Sequence, residues 1–165
     1  MHANRLTHLA LYTAMALALS AVETLIPLPV PIPGVKLGLS NIVILAALLF
    51  RGRRDAGIIL ALRILLGGFL AGSPSMLLFS AAGGALAFLT MAVTLSRLSK
   101  DKIWAVSICG ALGHNAGQLL MAAFILRTFS IFVFGPVLLL SAIVTGLFTG
   151  LVARFLLRYE PWLHP

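Results

Sequence analysis

Negative charge is almost missing from this chain: Glu23, Asp55, Asp101 and Glu160 are its only acidic residues. No two of them are close in sequence, which argues against the clustered carboxylates that hold Mg²⁺ in prenyl or phosphoryl transfer to or from a diphosphate. A phosphate-binding loop with its lysine is also missing, so this chain cannot hydrolyse ATP itself. The serines and histidines form no recognisable nucleophile elbow, and the chain is not expected to be an enzyme. Cysteine is equally scarce. Cys109, the single one, lies in an apolar run and by itself forms neither an internal disulfide nor a thiolate metal site. His114 has no second His or Cys at ligand spacing, so neither a metal nor another cofactor is implied.

What the chain has instead is apolar surface. Of its 165 residues 61% are hydrophobic and 10% charged, with a mean hydropathy of +1.09. That leaves too little polar surface to coat a soluble globule, so lipid is the expected solvent. Six apolar stretches are predicted to span the bilayer as helices: Leu6 to Ile26, Leu37 to Phe50, Ala56 to Ala71, Ser75 to Leu95, Ile103 to Leu126 and Phe129 to Leu157. The first is stopped by Pro27, Pro29, Pro31 and Pro33, which impose a stiff extended loop to Gly34. The last is long enough to be tilted, or kinked near Gly135-Pro136. The expectation is a single all-α domain over residues 1–165, a six-helix membrane bundle with no room for a soluble domain. A signal peptide is the lesser reading of the N-terminus, because its apolar run continues to Ile26.

The formal charge of +8 would suggest nucleic acid in a soluble chain. Here the cations sit at span ends, where they set topology, and no nucleic-acid partner is expected. With the N-terminus cytoplasmic, the inner segments hold Arg5, Arg51, Arg53, Arg54, Arg97, Lys100, Lys102, Arg154 and Arg158, and the outer ones hold Lys36 and Arg127. Nine against two puts both termini in the cytoplasm.

Polar residues inside the spans are costly unless they face a partner or a wet cavity, so they carry the functional argument. Counting helical rise from the expected span ends puts Glu23, Asn41 and Gln118 at about 26, 24 and 22 Å, in the outer third of the bilayer, and Arg63 and His114 at about 10 and 17 Å. On that count Glu23 and Arg63 are too far apart to pair directly without tilt. His114, Asn115 and Gln118 share one helical turn. Together with Glu23, Ser40, Asn41 and Arg63, and with Lys36 and Arg127 at the rim, they form a candidate pocket open to the outside, its cations favouring an anionic compound. Structural alternatives stay open for each: an ion pair or helix-end contacts for Arg63, a satisfied core histidine at 114, interhelical bonds for Asn41 and Gln118. Ala10, Ala14 and Ala18 form a smooth stripe on the first helix, suited either to packing within the bundle or to docking a separate membrane subunit. The pairs Gly68/Gly72, Gly113/Gly117 and Gly146/Gly150 read as internal packing.

The run Pro33-Gly-Val-Lys-Leu-Gly-Leu-Ser-Asn-Ile-Val43, with Glu23 upstream and Gly113-His-Asn-Ala-Gly-Gln118 downstream, resembles the bacterial membrane family named heptaprenyl diphosphate synthase component I, also called the Gx transporter family. That family in turn resembles the substrate-binding (S) components of energy-coupling factor transporters. The resemblance implies six helices, an outward pocket, a lid formed by residues 27–36, and a stripe at Ala14 and Ala18 that docks a membrane coupling subunit bound to a pair of ATPases. It also implies residence in the bacterial cytoplasmic membrane. The synthase name implies a second role, a non-catalytic membrane subunit in isoprenoid or quinone assembly.

Overall fold

The computed structural model describes residues 2–26 and 38–157. All its regular structure is helical, as expected: α1 (His2–Glu23), α2 (Asn41–Phe50), α3 (Arg53–Ala71), α4 (Pro74–Arg97), α5 (Ile103–Leu126) and α6 (Gly135–Leu157), with 3₁₀ segments at Lys100–Lys102 and Phe129–Phe134. The helix type changes at Gly135, where the sequence allowed a kink. Helices over Asn4–Glu23, Pro74–Arg97, Ile103–Leu126 and Phe129–Leu156 are long and apolar enough to cross a membrane. Their outer faces are apolar too: Leu89, Phe124, Val144 and Phe148 are all exposed. A surface of this kind belongs in lipid, and the chain is a membrane protein.

Two of the six expected spans differ from these. The 19 residues of α3 are long enough to cross, but Arg53, Arg54, Asp55 and Arg63 make it the most charged helix of the set. The ten residues of α2 rise only about 15 Å, half the hydrocarbon thickness. Its sequence, NIVILAALLF, is apolar on all sides, and Val43 to Leu48 are all buried. A helix without a polar face is stable only when surrounded, and α2 is: it touches α1, α3, α4, α5 and α6, which stand around it.

Local chemistry sets the helix ends. Ser73 Oγ accepts the Met76 N–H and Pro74 occupies the first turn of α4, while Gly72, at φ +59°, closes α3 in the left-handed region. Close helix contacts rest on glycine, as read from the sequence. A Cβ on Gly146 would lie 2.6 Å from the Ile108 Cα, and one on Gly150 2.6 Å from the Trp104 Cα, so α5 and α6 meet backbone to backbone. Gly113 and Gly117 likewise press on Leu86 and Ala82 of α4, and Gly68 on Leu77. Gly72 departs from this pattern, since nothing lies within 4 Å of a Cβ added there. Ser107 and Thr149 hydrogen-bond across α5 and α6 at 2.6 Å.

The interior has two apolar cores. One, around Ile44, Leu45, Ile59, Met91, Ile103 and Val106, fills the end that holds the N-terminus of α1; the other, Phe79, Leu119, Ala122, Ile131 and Leu138, fills the opposite end. At the first end Asp55 joins three elements: Arg5 of α1 donates to its Oδ1 at 2.6 Å, and Arg51, just after α2, lies 3.7 Å from its Oδ2. Asp55 precedes the apolar part of α3. The Arg5 hydrogen bond, helped by the charges of Arg5, Arg51 and Arg54, holds its carboxyl below the usual carboxylate range.

Candidate functional site

Between the two apolar cores lies a layer of buried polar side chains. Glu23, the last residue of α1, turns inward, and its Oε1 accepts the main-chain N–H groups of Gly38 and, at 3.1 Å, Leu39. Those two residues open the turn that leads into α2, in which Asn41 N–H bonds the Gly38 carbonyl at 2.9 Å. Gly38 has φ +81°, a conformation that side chains strongly disfavour. Space is equally restrictive, because a Cβ there would lie 2.8 Å from both Asn41 Nδ2 and His114 Cδ2.

Arg63 enters from α3, and one of its terminal nitrogens donates to Ser40 Oγ. The Glu23 carboxylate is close enough for its charge to act on this guanidinium. His114 and Gln118 come from α5, one turn apart, and both flank Gly83 of α4: a Cβ on that glycine would lie 2.9 Å from Gln118 Cγ and from His114 Nδ1. None of Glu23, Ser40, Asn41, Arg63, His114 and Gln118 is more than 7% exposed. Buried polar groups of this kind are normally all hydrogen-bonded. Here, among the described residues, both amide atoms of Asn41 and Nη1 of Arg63 have no partner. The cluster has donors to spare.

Depth is where structure and sequence part. Because α2 begins at Asn41 and ends at Phe50, Asn41 lies only about 14 Å above its far end, level with Arg63, about 12 Å above Asp55, and His114, about 17 Å above Ile103. Asn41 is therefore near mid-depth rather than in the outer third. Glu23 and Arg63, judged too far apart, are brought together through the 38–40 turn, to which each is hydrogen-bonded.

Two expected pocket residues stand elsewhere. Asn115 points to α6, donating to the Leu138 carbonyl at 2.7 Å, so it joins helices. Arg127 is exposed, at φ +49° just past α5, among Phe124, Phe129 and Phe132. Lys36 and the expected lid, residues 27–36, lie outside the described residues. Two residues belong to the site that the sequence reading did not select: Gly38, within the quoted motif, and Gly83, of the Gly83-Gly84 pair in mid-span. Their signal was the glycine itself, Gly38 at the turn into α2 and Gly83 in mid-span of α4. Among the described residues, no three His, Cys, Asp or Glu side chains gather as a metal site.

On the other side of α1, Ala10, Ala14 and Ala18 are all exposed, facing away from buried Thr13, Ala16 and Glu23. The stripe is not used to pack the described bundle. An apolar groove of about 330 Å³ runs beside it, walled by Tyr12, Met15 and Leu19 of α1 and by Phe148 and Val152 of α6, with Ile42 and Ala46 of α2 as its floor.

Comparison with known proteins adds one finding. The family model for heptaprenyl diphosphate synthase component I matches residues 12–156, nearly the whole chain. No curated protein and no solved structure matches. The chain belongs to the heptaprenyl diphosphate synthase component I family.

Proposed function

We propose that this family member is a membrane-embedded binding subunit of the S-component kind, which takes up a small anionic or amphiphilic compound and is energised by a separate ATPase module. It is a non-enzymatic protein of the bacterial cytoplasmic membrane, with both termini inside. The observation that carries the reading is the buried polar layer, in which Arg63 and Asn41, beside His114 and Gln118, keep polar atoms without partners among the described residues. A cluster this costly in hydrocarbon is retained for a ligand rather than for stability. The partner follows from α1: a smooth, exposed alanine stripe lets a second membrane subunit approach closely where lipid gives no hydrophobic drive to associate. A coupling subunit carrying ATPases fits that face and would supply the ATP hydrolysis this chain lacks.

A second reading draws on the groove between α1 and α6. The surface it exposes is apolar, suited to a prenyl chain, and it favours a non-catalytic membrane subunit that presents such a chain to a soluble prenyl-transferring enzyme. Affinity capture of the tagged full chain from native membranes in mild detergent, with the recovered proteins identified by mass spectrometry, separates the two. A membrane subunit with ATPases is the expected catch; a soluble prenyl-transferring enzyme in its stead would overturn the first reading in favour of the second.

A further inference from the structure

Two successive main-chain N–H groups, those of Gly38 and Leu39, converge on one oxygen of Glu23. This is the arrangement by which backbone concavities bind anions. It opens at the start of α2, where the helix dipole adds favourable potential for negative charge. Two further observations make it more than a helix end. Arg63, 3% exposed, donates to Ser40 within the same turn and keeps Nη1 without a partner. Asn41, 7% exposed, has both amide atoms without partners among the described residues, and its Nδ2 lies 2.8 Å from where a Cβ on Gly38 would be. The main-chain pair thus holds a carboxylate that belongs to the protein, with a guanidinium bonded to Ser40 in the same turn and the unpartnered Asn41 amide beside Gly38.

We propose that the Gly38–Leu39 amide pair, with Arg63 and Asn41 beside it, is a carboxylate-binding subsite that Glu23 fills as an internal stand-in and from which a ligand carboxylate displaces it. The inference rests on the binding-subunit reading above and names its ligand class, a carboxylic acid. It also gives ligand binding a mechanical consequence. Glu23 is the last residue of α1, so its displacement releases the end of that helix from the turn before α2, and α1 is the helix whose other face carries the exposed alanine stripe. The partner-docking helix would thereby be released when ligand arrives.

Chemical rescue tests the subsite. Glu23→Ala in the purified full chain vacates it, and thermal unfolding is then followed in sodium formate, sodium acetate and sodium chloride at matched ionic strength. A saturable rise in Tm with formate or acetate, absent with chloride, smaller in wild type and lost in Glu23→Ala/Arg63→Met, is the expected result. Equal responses to formate and chloride would overturn the proposal. Should Glu23→Ala not be recovered folded, Glu23→Gln is read in the same assay: its neutral amide should yield to formate, again with a selective rise in Tm, and no selectivity there overturns the proposal equally. Capture of the ATPase module by wild type, combined with no formate effect, would keep the binding-subunit reading and discard the carboxylate assignment. A formate effect without that capture would do the reverse.

Discussion

Replacing Gly38 by alanine should be among the most damaging single-methyl additions in the chain. Two costs combine. At φ +81° a Cβ meets its own backbone, a penalty of about 1–2 kcal/mol for an L residue in left-handed geometry. That Cβ would also lie 2.8 Å from Asn41 Nδ2 and His114 Cδ2, well inside the carbon contact optimum of about 3.5–4.0 Å. Both neighbours are buried, so relief requires shifting packed side chains, and overpacking of this kind costs about 1–3 kcal/mol. Gly72 supplies the control: at φ +59° it lies in the left-handed region, but nothing lies within 4 Å of an added Cβ. Gly72→Ala should therefore show the conformational cost alone, and Gly38→Ala should exceed it by about the overpacking term of 1–3 kcal/mol. Denaturant unfolding of the detergent-purified variants, followed by tryptophan fluorescence or circular dichroism, measures the difference. Equal destabilisation by the two substitutions would mean that Gly38 is not enclosed by Asn41 and His114, and the polar layer as described would be wrong.

Arg63→Met should destabilise by about 1–3 kcal/mol, because it removes the donor that Arg63 gives to the buried Ser40 hydroxyl. The Glu23 charge acts on the same guanidinium, so the double variant Glu23→Gln/Arg63→Met should lose less than the sum of the two single variants, and strict additivity in the unfolding cycle would contradict the coupling. Ala14→Trp, on an exposed position, should leave unfolding stability within about 0.5 kcal/mol of wild type. It should nonetheless abolish recovery of the ATPase-bearing partner, and undiminished recovery would remove the stripe from the docking account. Asp55 has its carboxyl held low by Arg5, so its contribution to stability is present above the unfolded-state value of about 3.9 and is lost as pH falls through the lower folded-state value. Melting curves at descending pH should show wild type above Asp55→Asn near neutrality and the two converging below about pH 3.9; a constant gap would argue against the ion pair.

Much of the architecture was legible in the sequence because it follows from composition and periodicity. The helices, the glycine contacts of α5 with α4 and α6, and the change at Gly135 all express local chemistry that a single sequence displays. Depth was not legible in the same way. The count for Asn41 assumed that the apolar run ending at Phe50 crosses the bilayer, whereas α2 is a half-length helix whose lack of any polar face marked it for burial. The separation assigned to Glu23 and Arg63 treated helices as upright rods, and a turn that reaches both side chains removes it. Rim charge misled in another way. Arg127 was placed at the pocket rim by its charge and its place at the outer end of a span, but the chain leaves α5 there in a left-handed turn and Arg127 stands exposed. Asn115 shares a helical turn with His114 and Gln118, and one residue of rotation directs it to α6. The alanine stripe was visible as a spacing, while its exposure depended on which face of α1 the other helices cover.

The most direct test of the account is native mass spectrometry of the protein gently extracted from its own membranes, comparing wild type with Arg63→Met. The account predicts that wild type retains a small bound molecule at a defined mass and that Arg63→Met, still folded by circular dichroism, has lost it. The same adduct on both proteins, or none on wild type extracted under conditions that preserve bound lipid, would contradict the claim that the buried polar layer is a binding site.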